Sequence, residues 1–252
     1  HLLGYYYGVA TRNEARWPRY LWGALWLVVL AGAAVVNHQA TTVDELRPVV
    51  RFADEVVSRL QGRTFLITDG TLDASLRLSA RQAQVPLHLI NARNDSPVYA
   101  AHVASLVNEP ALKNAAHLGL RALLQEWMHH PASLTGQVAV LTSPHTVPVS
   151  GLAVVPAEAF YVVRASGELE DPEAWLAAHR AAWGQRGTFQ GNHLVKGDAG
   201  QFQYQFVQRW SSRLANDLGV ALDDRKQPGL ARQAYEQALA FWPDNISPAL
   251  NL

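Results

Sequence analysis

The chain has 252 residues, 49% of them hydrophobic and 17% charged, enough for one sizeable core with attachments. Lys and Arg together number 21, as do Asp and Glu, so there is no electrostatic footprint for nucleic acid. Cysteine is absent, which excludes disulfides and thiolate metal sites and leaves the redox compartment unread.

The first residues, HLLGYYYGVA, are apolar and Tyr-rich and open without Met. They read as the tail of an earlier membrane helix in a longer protein. Arg12, Arg16 and Arg19 follow, and then YLWGALWLVVLAGAAVV, Tyr20–Val36, without a charged side chain. Its length meets the lower limit for a spanning helix, about 17 residues. Trp17, Tyr20, Trp22 and Trp26 cluster at the leading end, where amphipathic rings favour the lipid–water boundary. The pattern predicts a membrane region over residues 1–40 with a transmembrane helix at about 20–36. Basic flanks stay inside, so the chain after about residue 40 is expected outside. A buried core helix and a secretory signal compete. Length counts against the first, and the Tyr-rich leader against the second.

Residues 41–185 read as an α/β domain. Leu46, Val50, Ala53, Val57 and Leu60 share a helical face. Thr42 and Glu45 stand at capping-box spacing, while Pro48 requires the helix to begin later or to bend. RTFLITDG is a short apolar run fit for a buried strand, and LDASLRLSARQAQ is helical, with Leu72, Leu76 and Ala80 on one face. VPLHLINAR is a second strand. Ser96-Pro97 starts a helix with Ser as cap. Glu109-Pro110 starts another, with Leu112, Ala116, Leu120, Leu123 and Trp127 on its apolar face until His129-His130-Pro131. QVAVLTSP is a third strand, and GLAVVPAE and FYVVRAS are a fourth and fifth, for which a hairpin is one reading. Strands separated by helical crossovers predict a mainly parallel, Rossmann-like sheet with helices on both faces.

Residues 186–252 read as helical. In LGVALDDRKQPGLARQAYEQALAFWPDN, the residues Leu218, Gly219, Leu222, Ala231, Tyr235, Ala238 and Pro243 match the spacing of a tetratricopeptide repeat, a unit of about 34 residues. Gly219 and Ala231 let two helices approach, Tyr235 fills the gap and Pro243 ends the unit. One full repeat is expected at about 212–245, with another opening in ISPALNL. FQYQFVQRW, with Phe202, Phe206 and Trp210, is a candidate to pack beside it.

The candidate site lies at the strand ends. Ligands in open α/β sheets settle beyond the carboxyl ends of strands. Asp69 would stand at one such end, Asn91 at the next and Thr142-Ser143 at the third. With Asp73 and Asp95 they can form a polar cleft. The competing explanation is that Asp and Asn at these turns cap helices. TDGTLD has one Gly where a dinucleotide fingerprint needs three. No nucleophile elbow or zinc-type His spacing occurs, and the adjacent His129 and His130 have poor metal geometry. No catalytic residue, metal ligand or cofactor is assigned.

A membrane helix, then a strand ending in Asp69-Gly70-x-x-Asp73, a second strand ending in Asn91 and a helical repeat make a layout that resembles a known arrangement. It is similar to the C-terminal, extracytoplasmic part of a bacterial polytopic membrane protein family of largely unassigned function, distantly related to protein O-mannosyltransferases. The resemblance covers roughly residues 17–185. It implies a bacterial inner-membrane location and a glycosyltransferase-like protein whose catalytic acid lies outside this chain. The chain would then be an accessory module that positions an acceptor or a partner protein or peptide through its repeats. A non-enzymatic, membrane-anchored scaffold for envelope or export assembly is the alternative. A third is an enzyme using Asp69 and Asp73 with a metal.

Overall fold

The structure, a computed structural model, describes residues 22–30, 46–147, 151–165, 171–186 and 198–252. The chain divides into two units, His1–Glu45 and Leu46–Leu252. In the first unit residues 22–30 are helical, and the side chains from Leu25 to Leu30 are exposed. Among the described residues no helix is long and apolar enough to cross a membrane. The transmembrane helix expected over 20–36 is therefore corrected, and the inner-membrane location and extracytoplasmic placement fall with it. The expected bilayer contact loses the helix it was read from. Residues 20, 21 and 31–36, the arginine flank and the Thr42–Glu45 pair lie outside the described residues.

In the second unit α1 (Arg47–Ser58) carries Pro48 in its first turn, where the missing N–H has no intrahelical partner to lose. Its buried face is Val49, Phe52, Ala53, Val56 and Val57. Val50, expected on that face, lies on the solvent side. Strand β1 (Phe65–Thr68) leads through α2 (Asp73–Gln82) to β2 (His88–Asn91). Four helices follow: α3 (Pro97–Leu106), α4 (Pro110–His117), α5 (Leu120–Met128) and α6 (Pro131–Gln137). The Ser96 hydroxyl caps α3, accepting the Tyr99 N–H at 3.3 Å. The single helix expected after Glu109-Pro110 is two, because Gly119 at φ 103° stops α4 and redirects the chain into α5.

Strand β3 (Val138–Leu141), a 3-10 turn at Pro144–Thr146, β4 (Leu152–Pro156) and β5 (Tyr161–Ala165) complete the sheet. Its order is β2-β1-β3-β5-β4. β1 runs parallel to β2 and β3, with Phe65 beside His88 on one side and Val138 on the other. β5 runs antiparallel to both β3 and β4. The sheet is thus mixed, and the expected mainly parallel, Rossmann-like layering is corrected. The physical reason is the short link after β4, where the Ala157 N–H donates to the Phe160 carbonyl at 2.7 Å. A link this tight returns the chain antiparallel, whereas a parallel neighbour needs a crossover of a dozen residues or more. Of the described residues, 65% are helical and 11% lie in strands. β1 and β3 are buried along their whole length, which explains their unbroken apolar runs.

The chain ends in α7 (Pro172–Arg186), α8 (Asp198–Asp223), α9 (Pro228–Phe241) and α10 (Ile246–Asn251). α8 has 26 residues and serves two cores. Val207, Trp210 and Leu214 pack into the core around the sheet. Ala215, Leu218 and Leu222 pack with Trp175 and Trp183 of α7 and with Ala231, Tyr235 and Phe241 of α9. The C-terminal tetratricopeptide hairpin expected at about 212–245 is corrected in its first helix, which is the far half of a rod whose near half belongs to the sheet. Of the expected packing residues, Leu218, Leu222, Ala231, Tyr235 and Ala238 are buried. Gly219 faces the Tyr235 ring, and Pro243 is exposed just past α9.

Candidate functional site

A cleft of ≈ 380 Å³ opens where the carboxyl ends of the three parallel-paired strands meet α8. The topology explains its place. From β1 the chain passes to β2 on one side, and later to β3 on the other, so the strand order reverses between β1 and β3. Loops leaving two such strands diverge and leave a crevice between them. Asp69 leaves β1, Arg93 follows β2, and Thr142 and Ser143 leave β3; all four line the cleft. The opposite wall is α8, with Phe202, Gln205, Phe206, Arg209, Trp210 and Arg213.

Hydrogen bonds fix that wall in place. The Gln203 amide donates to the Thr71 carbonyl at 3.4 Å, tying α8 to the turn after β1. The Trp210 indole N–H donates to the Ala159 carbonyl at 2.9 Å. Arg213 Nη2 donates to Ser143 Oγ at 3.4 Å, and its Nε lies 3.8 Å from Asp217. Asp217 in turn accepts the Tyr161 hydroxyl at 2.5 Å. Burial, and then the Asp217 charge, push the Tyr161 hydroxyl far above its usual range, so it stays a neutral donor. The Phe206 and Trp210 rings stack with centroids 5.9 Å apart and planes 7° apart.

The acids expected to build the cleft are mostly spent on the turn itself. Asp69 Oδ1 accepts the Thr71 N–H at 3.0 Å, and Oδ2 accepts from Arg93 at 3.0 Å. Asp73 accepts the buried Thr68 hydroxyl at 2.6 Å at the start of α2. Gly70 sits at φ 88°, and its N–H points back to Thr68 Oγ1 at 3.3 Å. The Asn91 side chain lies so close over Gly70 that any Cβ there would strike it. Asn91 Oδ1 accepts the Arg93 N–H at 2.9 Å, and Asp95 is exposed away from the cleft lining. The structure therefore brings Asp69 and Thr142-Ser143 to the cleft, leaves Asp73 and Asn91 bonded within the strand-end turns, and places Asp95 exposed outside the lining.

The cleft is lined by three guanidinium groups: Arg93 is paired with Asp69, Arg213 lies beside Asp217, and Arg209 faces no lining carboxylate of its own. Arg209 lays its guanidinium over the Trp242 ring at 4.2 Å, a stack that holds its charge near the cleft without a hydrogen-bond partner being used up. The turn after β1 is closed on itself through Thr68 and Asp69, so side chains rather than a backbone nest must receive an anion. Among the described residues no group of three or more His, Asp or Glu is placed to hold a metal ion.

The α8 contribution is hidden in the sequence because Phe202, Phe206 and Trp210 have the spacing of packing residues for a helical repeat. One signal was present. Phe202, Phe206, Arg209 and Arg213 recur at spacings of three and four, so an aromatic and a basic stripe run along one face.

No family model matches the chain, and no curated protein and no solved structure matches it. The tetratricopeptide and transferase labels therefore gain no support beyond the residues quoted for them.

Proposed function

We propose that the chain is a recognition module that binds a small anionic ligand in the cleft at the strand reversal. The observation that carries this is the guanidinium surplus in a crevice of ≈ 380 Å³. That volume is in the small-molecule range of roughly 300–1,000 Å³. Arginine forks suit carboxylate and phosphate oxygens, which they bind through paired N–H groups. Both oxygens of Asp69 are already engaged, which favours binding over acid–base chemistry. A protein or peptide partner, expected from the sequence, is the rival, since an acidic peptide would use the same arginines.

The test is calorimetric titration of the whole chain with ribose 5-phosphate and, separately, with a hexaglutamate peptide. Ribose 5-phosphate should saturate one site and weaken as salt rises. Arg213→Gln should cost about tenfold or more, the worth of one charge-assisted hydrogen bond. Failure of every anion to saturate sinks the proposal. Saturation by hexaglutamate alone replaces it with peptide docking.

A further inference from the structure

Resting on that reading, we infer that the ligand is a planar heterocycle joined through a sugar-sized spacer to a phosphate, the chemistry of a nucleoside monophosphate. The first observation is Phe202. It lines the polar cleft yet is 57% exposed, a large ring left open to water. Isolated exposed apolar side chains are ordinary, but this one shares its wall with two further rings. Phe206 is backed by Trp210, which is 5% exposed and pinned through its indole N–H to Ala159. The wall therefore presents a rigid aromatic surface with one open ring at its outer end. Such a surface stacks planar rings of many kinds.

The second observation is spacing. Phe202 precedes Arg209 by seven positions on α8, as Phe206 precedes Arg213. Seven positions of helix rise about 10 Å. A ring laid on Phe202 needs a spacer before its acid meets Arg209, seven positions further along α8. A ring, a sugar and a phosphate in series provide one. Gln205 and the hydroxyls of Thr142 and Ser143 also line the cleft, groups that donate to or accept from sugar hydroxyls. Arg93, with its side chain 69% exposed, stands on the facing loop and can lay its guanidinium plane on a ring held there.

The experiment titrates the 252-residue chain with AMP, ribose 5-phosphate and adenosine, reading calorimetry and indole fluorescence. AMP should bind about tenfold or more tighter than ribose 5-phosphate, with adenosine weaker than AMP. Phe202→Ala should erase the advantage of AMP and leave ribose 5-phosphate unchanged. Because Phe202 is exposed, that variant should melt at the wild-type temperature, which circular dichroism checks. Equal affinity for AMP and ribose 5-phosphate overturns the ring while the anion site stands. An advantage of AMP that survives Phe202→Ala also overturns it. Binding of none of the three overturns both the ring and the anion site.

Discussion

A Cβ on Gly219 would lie 2.8 Å from Tyr235 Cζ and closer still to the adjoining ring carbons. Tyr235 cannot yield, because it is buried and its hydroxyl is tied to Asp223 Oδ2 at 3.2 Å. Burial, then that hydrogen bond and the nearby acids, push its hydroxyl up to about 12, so it holds as a neutral donor through the ordinary pH range. Gly219→Ala gains about 1 kcal/mol of helix propensity. Forcing α8 and α9 apart costs about 1–3 kcal/mol, and with ring atoms overlapping the upper figure applies. The net expectation is a loss of about 2 kcal/mol, read as a lower urea midpoint. An unchanged or raised midpoint contradicts the packing. This pair was legible in the sequence, because a small residue and a Tyr on successive helices announce their own contact. The approach of Asn91 to Gly70 was not, because it joins the ends of two strands about twenty residues apart, and nothing local encodes it.

The helix α7 carries two buried polar groups, His179 and Arg186, and each yields a prediction. On α7, His179 is fully buried between Trp175 and Trp183, with ring centroids 6.0 and 5.7 Å away. Its Nδ1 lies 3.0 Å from the Trp175 carbonyl, which only accepts, so Nδ1 carries the proton. Burial lowers its pKa below the usual value near 6.5. The Arg186 charge lowers it further, while the Trp175 carbonyl and Glu158 oppose the shift. A folded value below the unfolded one means that acid favours the unfolded chain. The contribution is whole above about pH 6.5 and is lost as pH falls below it, by at most about 1.4 kcal/mol per pH unit. His179→Phe should therefore lose its disadvantage against wild type between about pH 7 and pH 5, in urea melts taken across that range. A constant difference would show that His179 does not titrate with folding.

Arg186, at the end of the same helix, reaches Glu55 of α1 with Nε at 2.7 Å and Nη2 at 2.9 Å. It also donates to the Glu158 carbonyl and lies over the Phe52 ring at 5.3 Å. Both side chains of the pair are under 10% exposed. Breaking a buried pair costs about 3–5 kcal/mol, because the remaining charge stays desolvated. Arg59 remains 3.3 Å from Glu55, so Arg186→Met should fall at the lower end, about 3 kcal/mol. Adding Glu55→Leu should recover most of that loss in a double-mutant cycle by chemical denaturation. Additive losses would mean that the two residues act separately.

Across the whole molecule, the sequence revealed what is local and hid what is not. β1, β2 and β3 were legible as apolar runs between turn residues, and α3 through Ser96-Pro97. The β4–β5 hairpin was legible in two apolar runs set close together. The antiparallel pairing of β5 with β3 was not, because it depends on which sheet edge is free when the hairpin docks. The break at Gly119 was hidden by an apolar face that continues in register across it from Ala116 to Leu123. Asp69 and Thr142-Ser143 were legible as strand ends, and the strand-end rule placed them together. Arg209 and Arg213 were not, since they reach the cleft only because α8 packs back across the sheet from more than sixty positions along the chain.

Amide NMR tests the meeting of the strand ends with α8 most directly. Ribose 5-phosphate added to ¹⁵N-labelled protein should move the amide signals of Asp69, Arg93, Thr142, Ser143 and Arg209 and the Trp210 indole N–H, with the rest of the spectrum nearly still. Shifts confined to other residues, or a spectrum unmoved at saturating ligand, would contradict it.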